Sequence, residues 1–169
     1  MAWAKNGTPV TLGSAGDDLD ITDLTATKFN QFMIHTLRTG TGVSHNKRWL
    51  TTLDNNSATD YAWRRSVNGA SEATAINQTS IDFCDATEDE SEEFGVIYGV
   101  NIDGEEKLFI MPQRVYAFQA GASNAPGRAE IVAKCDTTTN TAQYTRIDVH
   151  NDSAGSYETD SNLSAIGTD

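Results

Sequence analysis

Apolar residues along this chain recur at a spacing of two, in short runs separated by turn-forming clusters. Thr8 to Leu12 is a brief extended run closed by Gly13-Ser14-Ala15-Gly16, and Leu19 to Thr22 follows with Ile21 as its apolar anchor. Phe29 to Leu37 carries Phe29, Phe32 and Met33 at helical spacing. Thr39-Gly40-Thr41-Gly42 nevertheless ends the run after nine residues, a length that suits a strand, and a strand is predicted. Lys47 to Leu53 alternates, with Trp49, Thr51 and Leu53 on one side, and Asp54 to Ser57 forms a turn. Tyr61 to Val67 runs into Asn68-Gly69, a strong hairpin signal. Ile76 to Phe83 offers Ile76, Ile81 and Phe83 as core residues. Phe94 to Ile102 and Lys107 to Val115 flank Asp103-Gly104, the clearest hairpin, with Val96, Tyr98 and Val100 alternating on its first arm. Ala129 to Cys135 and Tyr144 to Val149 complete nine to eleven strands.

No strand–helix alternation exists, so βαβ folds are excluded. The pattern predicts an all-β chain, an antiparallel β-sandwich of the jelly-roll kind. The ten-residue stretch Gln119 to Arg128 is too long for a tight hairpin and suits a surface loop or a crossover between sheets. Without a linker or internal repeat, the organisation predicted is an N-terminal arm over residues 1–8 and one sandwich domain over 9–169.

Composition agrees with that class. Thr, Ser, Asn and Gly make up about a third of the 169 residues, which favours strands and turns over helices. Twelve basic against 24 acidic residues leave a net charge of −12. A surface of that sign repels phosphate backbones, so nucleic acid is not an expected partner. No run approaches the length of a membrane span and no basic-then-apolar leader opens the chain, so neither a membrane partner nor secretion is expected. Cys84 and Cys135 lack a Cys-x-x-Cys partner, which excludes a thiolate zinc site; two buried free thiols are favoured over a single bridge.

Recognisable catalytic patterns are absent. His35, His45 and His150 fall in different segments with no metal-ligand spacing, and neither a nucleophile elbow nor a phosphate loop occurs. No catalytic residue, resident metal or cofactor is therefore expected. The run Asp85 to Glu93 packs six acids into nine residues. It reads as a solvated connection, with a calcium site as the lesser alternative, and Asp17-Asp18-Leu19-Asp20 is a weaker candidate of that kind. Tyr61, Trp63 and Arg65 share one strand face and could bind a glycan or anchor a protein interface; the competing reading puts Trp63 in the core.

Val10 to Asp17, Phe29 to Leu37, Tyr61 to Ser66 with Asn68-Gly69, Val100 to Leu108, Ala120 to Arg128 and the ending Ser161 to Asp169 line up in order with a known pattern. Together they resemble a β-rich domain of virion proteins from tailed phages, marine ones in particular, found alone or at the end of a longer fibre protein. The resemblance spans about Val10 to Asp169 and implies a non-enzymatic virion structural component. Its forms would be a capsid decoration (cement) protein on the virion exterior or a fibre tip; a carbohydrate-binding, receptor-binding module is the rival reading, which the Tyr61, Trp63 and Arg65 face and the acidic run would serve. By analogy with capsid beads on symmetry axes, the resemblance further implies a homotrimer that contacts the major capsid protein. Contacts are then expected from Trp3 and Lys5 on the arm and from Arg114 and Arg128, with Arg64 and Arg65 as further bridges across like-charged surfaces.

Overall fold

Strand follows turn much as the alternation predicts. The computed structural model describes residues 2–37, 49–83, 92–117, 122–123, 125–136, 142–151 and 157–169, and among these there are strands but no helix. The thirteen strands are β1 (Ala4–Lys5), β2 (Val10–Thr11), β3 (Asp18–Ile21), β4 (Phe29–Leu37), β5 (Leu50–Leu53), β6 (Tyr61–Val67), β7 (Ala73–Gln78), β8 (Ile81–Asp82), β9 (Glu92–Val100), β10 (Lys107–Tyr116), β11 (Gly127–Cys135), β12 (Ile147–His150) and β13 (Asn162–Thr168). Cys84, His45, Asp85 to Ser91 and part of the 119–128 loop lie outside the described residues.

Two antiparallel sheets form. The large one runs β1-β13-β4-β9-β10-β11-β6-β7, with β2 also on β13; the small one runs β3-β12-β5-β8. From β2 to β6, from β7 to β9 and from β11 to β13 the chain passes from one sheet to the other at every step. The β6–β7 and β10–β11 hairpins extend the large sheet past β9. At Asn68-Gly69 both residues have positive φ (51° and 75°), and the Ala70 amide donates to the Val67 carbonyl at 2.8 Å, the twist-matched hairpin turn.

The core lies between the sheets. Leu19, Ile21, Leu53, Ile81, Ile147 and Val149 of the small sheet meet Phe32, Ile34, Ile97, Phe109, Met111 and Leu163 of the large one. Trp49 is fully buried, and its indole N–H donates to Thr36 Oγ1 at 3.1 Å. Its ring sits against Gly95, where an added Cβ would lie 2.8 Å from Cζ3. Gly99 is likewise covered by Phe109 and Tyr144. These two glycines turn β9 over. Gly95, Ile97 and Gly99 face inward because large rings from neighbouring segments need their space, so Val96, Tyr98 and Val100 point outward.

Three expectations change. Ile76 is not a core residue: it is 70% exposed, because on edge strand β7 Ala75 takes the inward position opposite Trp63 and Ile76 turns outward, lining a groove with Leu108 and Val132. The ending 162–168, for which no strand is predicted, is strand β13, lying between β1 and β4; Leu163 and Ile166 are its only strongly apolar residues, and they lie on opposite faces. The N-terminal segment is not a free arm, since Ala4 and Lys5 pair with Gly167 and Ile166. Buried Asn6 locks the segment: its amide donates to Asn30 Oδ1 (2.7 Å) and the Thr25 carbonyl (3.1 Å), and its Oδ1 accepts from the Thr25 amide (2.7 Å).

Candidate functional site

The two outward faces of the sandwich differ in chemistry. On the large sheet the register sets side chains in rows across the strands. One row runs Thr168, Phe29, Val100, Leu108, Lys134, Ala62. The next runs Lys5, Ile166, Gln31, Tyr98, Ile110, Val132, Arg64. Phe29, Tyr98, Leu108, Ile110 and Val132 in these rows are 39–50% exposed. Trp3, half-exposed, closes a groove of about 340 Å³ with Phe29, Tyr98, Val100, Leu108 and Ile110. Further along the same face lie Met33 opposite Val96, and Phe94 opposite Val115.

Charge flanks the apolar rows: Glu130, exposed on β11 next after Val132 on that face, lines a groove with Ile110 and Arg64. Lys134 donates to Glu106 at 2.7 Å and Arg64 to Glu72 at 2.8 Å, while His35 lies 2.9 Å from Glu92. The hydrogen bond from Lys134 to Glu106 raises the lysine's pKa. A contiguous apolar surface of this kind, rimmed by polar groups, marks an interaction site.

The small sheet's outward face is polar. Asp148 and His150 on β12 stand between Asp20 and Asp18 on β3 and Thr52 and Leu50 on β5. With Asn55, Ser57, Thr79, Ser80 and Arg146 they line a cleft of about 430 Å³. The Arg146 guanidinium bonds Asp148 through Nε and reaches Asp20 at 3.2 Å. Asp148 also accepts from the Asn55 amide at 3.3 Å. Burial, then the negative charges of Asp148 and Asp18, push the Asp20 carboxyl up to about 6, with Arg146 opposing. Asp20 therefore keeps its proton up to about pH 6, where an ordinary aspartate is already ionised. The cleft offers carboxylates and hydroxyls to a polar ligand, and among the described residues its lining includes no Trp, Tyr or Phe on which a sugar ring could stack. Among the described residues no group of His, Cys, Asp and Glu is arranged to hold a metal ion.

The residues singled out from sequence are spread over both surfaces and the interior. Trp3 borders the apolar groove, Lys5 stands opposite Ile166 on edge strand β1, and Arg128 lies exposed on β11. Arg114 is in the interior: it is 1% exposed and pairs with equally buried Glu93 at 3.3 Å, its guanidinium 4.8 Å from the Tyr116 ring centroid. It therefore offers no outward contact. Tyr61, Trp63 and Arg65 share the inward face of β6. Tyr61 is buried, donating to the Asn56 carbonyl and accepting from the Leu53 amide, both at 3.0 Å. Arg65 lies 4.6 Å from the Trp63 ring centroid and pairs with Asp82 at 3.0 Å. That set is used within the fold. Sequence reasoning missed both outward surfaces: the apolar face uses residues read as strand alternation, and the cleft joins β3 to β12 across more than 120 positions. The only signals were Asp17-Asp18-Leu19-Asp20 and the bulk of Val96, Tyr98 and Val100. Cys135 is free and buried, its thiol pushed up to about 11 by burial.

No protein-family model matches the chain, and no curated protein matches it in sequence.

Proposed function

We propose that the chain is a non-enzymatic assembly subunit and, following the resemblance of its sequence, a decoration protein on the exterior of a virion. One observation carries the assembly reading: an apolar outward face, with its charges flanking the apolar rows, on a molecule of net charge −12. A lone domain gains nothing by keeping Phe29, Tyr98, Leu108, Ile110 and Val132 half in water, whereas a subunit buries them on assembly. The strand orders support the same reading. Without the two added hairpins and β1, the orders β2-β13-β4-β9 and β3-β12-β5-β8 are those expected of a jelly roll's two Greek keys, an architecture common in capsid proteins. The partners in this reading are further copies of the chain and the major capsid protein.

The test is occupancy of the particle. Purified protein is added to shells lacking it, and bound stoichiometry and shell survival on heating are measured. Saturable binding at a fixed ratio with slower disruption is expected. Particles that neither contain nor bind the chain would remove the virion reading. The carbohydrate-binding alternative has its seat in the polar cleft around Asp20, Asp148 and Arg146. A glycan-array signal abolished by Asp148→Ala, with particle binding absent, would establish it in place of the decoration role.

A further inference from the structure

We propose that the outward face of the large sheet docks a second copy of this chain, face against face across a two-fold axis. This deepens the assembly reading, on which it rests, by naming the partner of the apolar surface.

Area is the first argument. Trp3, Phe29, Tyr98, Leu108, Ile110 and Val132, continued by Phe94 and Val115, are each between 38 and 50% exposed. Taking about 200 Å² for a whole aromatic side chain and somewhat less for an aliphatic one, they offer on the order of 700 Å² of apolar surface. The largest patch on a typical monomer is about 300–600 Å². A stable interface takes about 800 Å² from each partner, so this face with its rim is close to the size that dimerisation needs.

Charge is the second. Two molecules of net charge −12 repel, and they approach at least cost where acids are few. Among the described residues, the central rows from Phe29 to Leu108 and from Gln31 to Val132 hold no carboxylate. Glu106 and Glu72 are paired within the same molecule with Lys134 and Arg64, and Glu130, one row beyond Val132, shares its groove with Arg64 and Arg65. The face thus pairs with its own copy without a like-charge penalty at its centre, where desolvated contacts count most.

Symmetry is the third. A patch that meets itself generates a two-fold axis, whereas a ring of three needs two different complementary patches. The large sheet presents one continuous face, and two sheets can pack over such a face as they do inside a sandwich. This replaces the trimer implied by resemblance with a dimer.

The experiment is sedimentation equilibrium on the full chain over a concentration series, at low and high salt. The mass should double with concentration, and salt should tighten the dimer by screening the repulsion between the two bodies. Ile110 is outward and half-exposed, so Ile110→Glu should keep the wild-type circular dichroism while raising the dimer dissociation constant more than about tenfold. Ile110→Lys should do the same, and mixing the two variants should restore a mixed dimer. A monomer at every concentration, a trimer, or a dimer unaffected by both variants would overturn the proposal. Wild-type protein that stays monomeric yet saturates particles would refute the pairing and leave the assembly reading standing. A dimer sensitive to Ile110 that binds no particle would support the pairing and remove the virion reading.

Discussion

Replacing Asp20 by Asn should stabilise this protein above neutral pH and leave it nearly unchanged in acid. Burial and the neighbouring Asp148 and Asp18 charges raise the folded-state pKa from 3.8 to about 6 despite Arg146 at 3.2 Å. An unfolded chain ionises this group near its ordinary value, so between roughly pH 4 and 6 the native state binds the extra proton. Stability therefore falls as pH rises through that window, and above it the native state carries the full cost of an ionised Asp20. A displacement of about 2 pH units corresponds to about 3 kcal/mol as an upper limit. The side chain is 31% exposed and Arg146 28%, so solvent screening reduces this to about 1–2 kcal/mol. Asn resembles the protonated acid and avoids the cost. Urea unfolding of wild type and Asp20→Asn at pH 4 and pH 8 is the assay. The variant's midpoint should be higher at pH 8 by about 0.5–1 M urea, and the two proteins should converge at pH 4. A variant less stable than wild type at pH 8, or a difference that does not change with pH, would show that the attraction to Arg146 outweighs burial.

Three further outcomes follow from the packing. Asn6→Ala should cost about 1–2 kcal/mol in denaturant unfolding, because it removes the buried hydrogen bond to Asn30 together with the bonds to the Thr25 amide and carbonyl and loosens β1; a loss below about 0.5 kcal/mol would restore the free-arm picture. Gly95→Ala should lower stability by about 1–3 kcal/mol, since its Cβ would meet Trp49 Cζ3 at 2.8 Å and Met111 Sδ at 3.1 Å; wild-type stability would mean that the Trp49 ring moves freely aside. In a Cys84→Ser background, Cys135 should resist a disulfide reagent at pH 8 until the protein unfolds, and rapid native labelling would contradict a buried thiol with its pKa raised to about 11.

Much of the fold was legible because strand alternation and turn chemistry are local. Phe29 to Leu37 reads as a strand from its length and the Thr-Gly repeat that ends it, and β4 occupies those residues. Trp49, Thr51 and Leu53 fall on one inward face, as their spacing of two predicts. Asn68-Gly69 makes its hairpin because only residues that tolerate positive φ can turn there.

Which face of a strand points inward was not local information. In β9 the bulk of Val96, Tyr98 and Val100 suggests a core face, but the inward side belongs to Gly95 and Gly99. Rings of Trp49, Phe109 and Tyr144, supplied by other segments, fill the space those glycines leave. That reversal creates the apolar outward surface. The polar cleft is likewise tertiary, because it needs β12 laid between β3 and β5 before Asp20 and Asp148 become neighbours and share Arg146. Arg114 shows the same limit, since an arginine in an acidic chain reads as a surface bridge until Glu93 is placed beside it in the interior. Alternation and turns specified the strands and the all-β class. Packing between distant segments decided which residues the molecule hides and which it presents, because burial depends on what lies opposite a side chain and not on what precedes it in the chain.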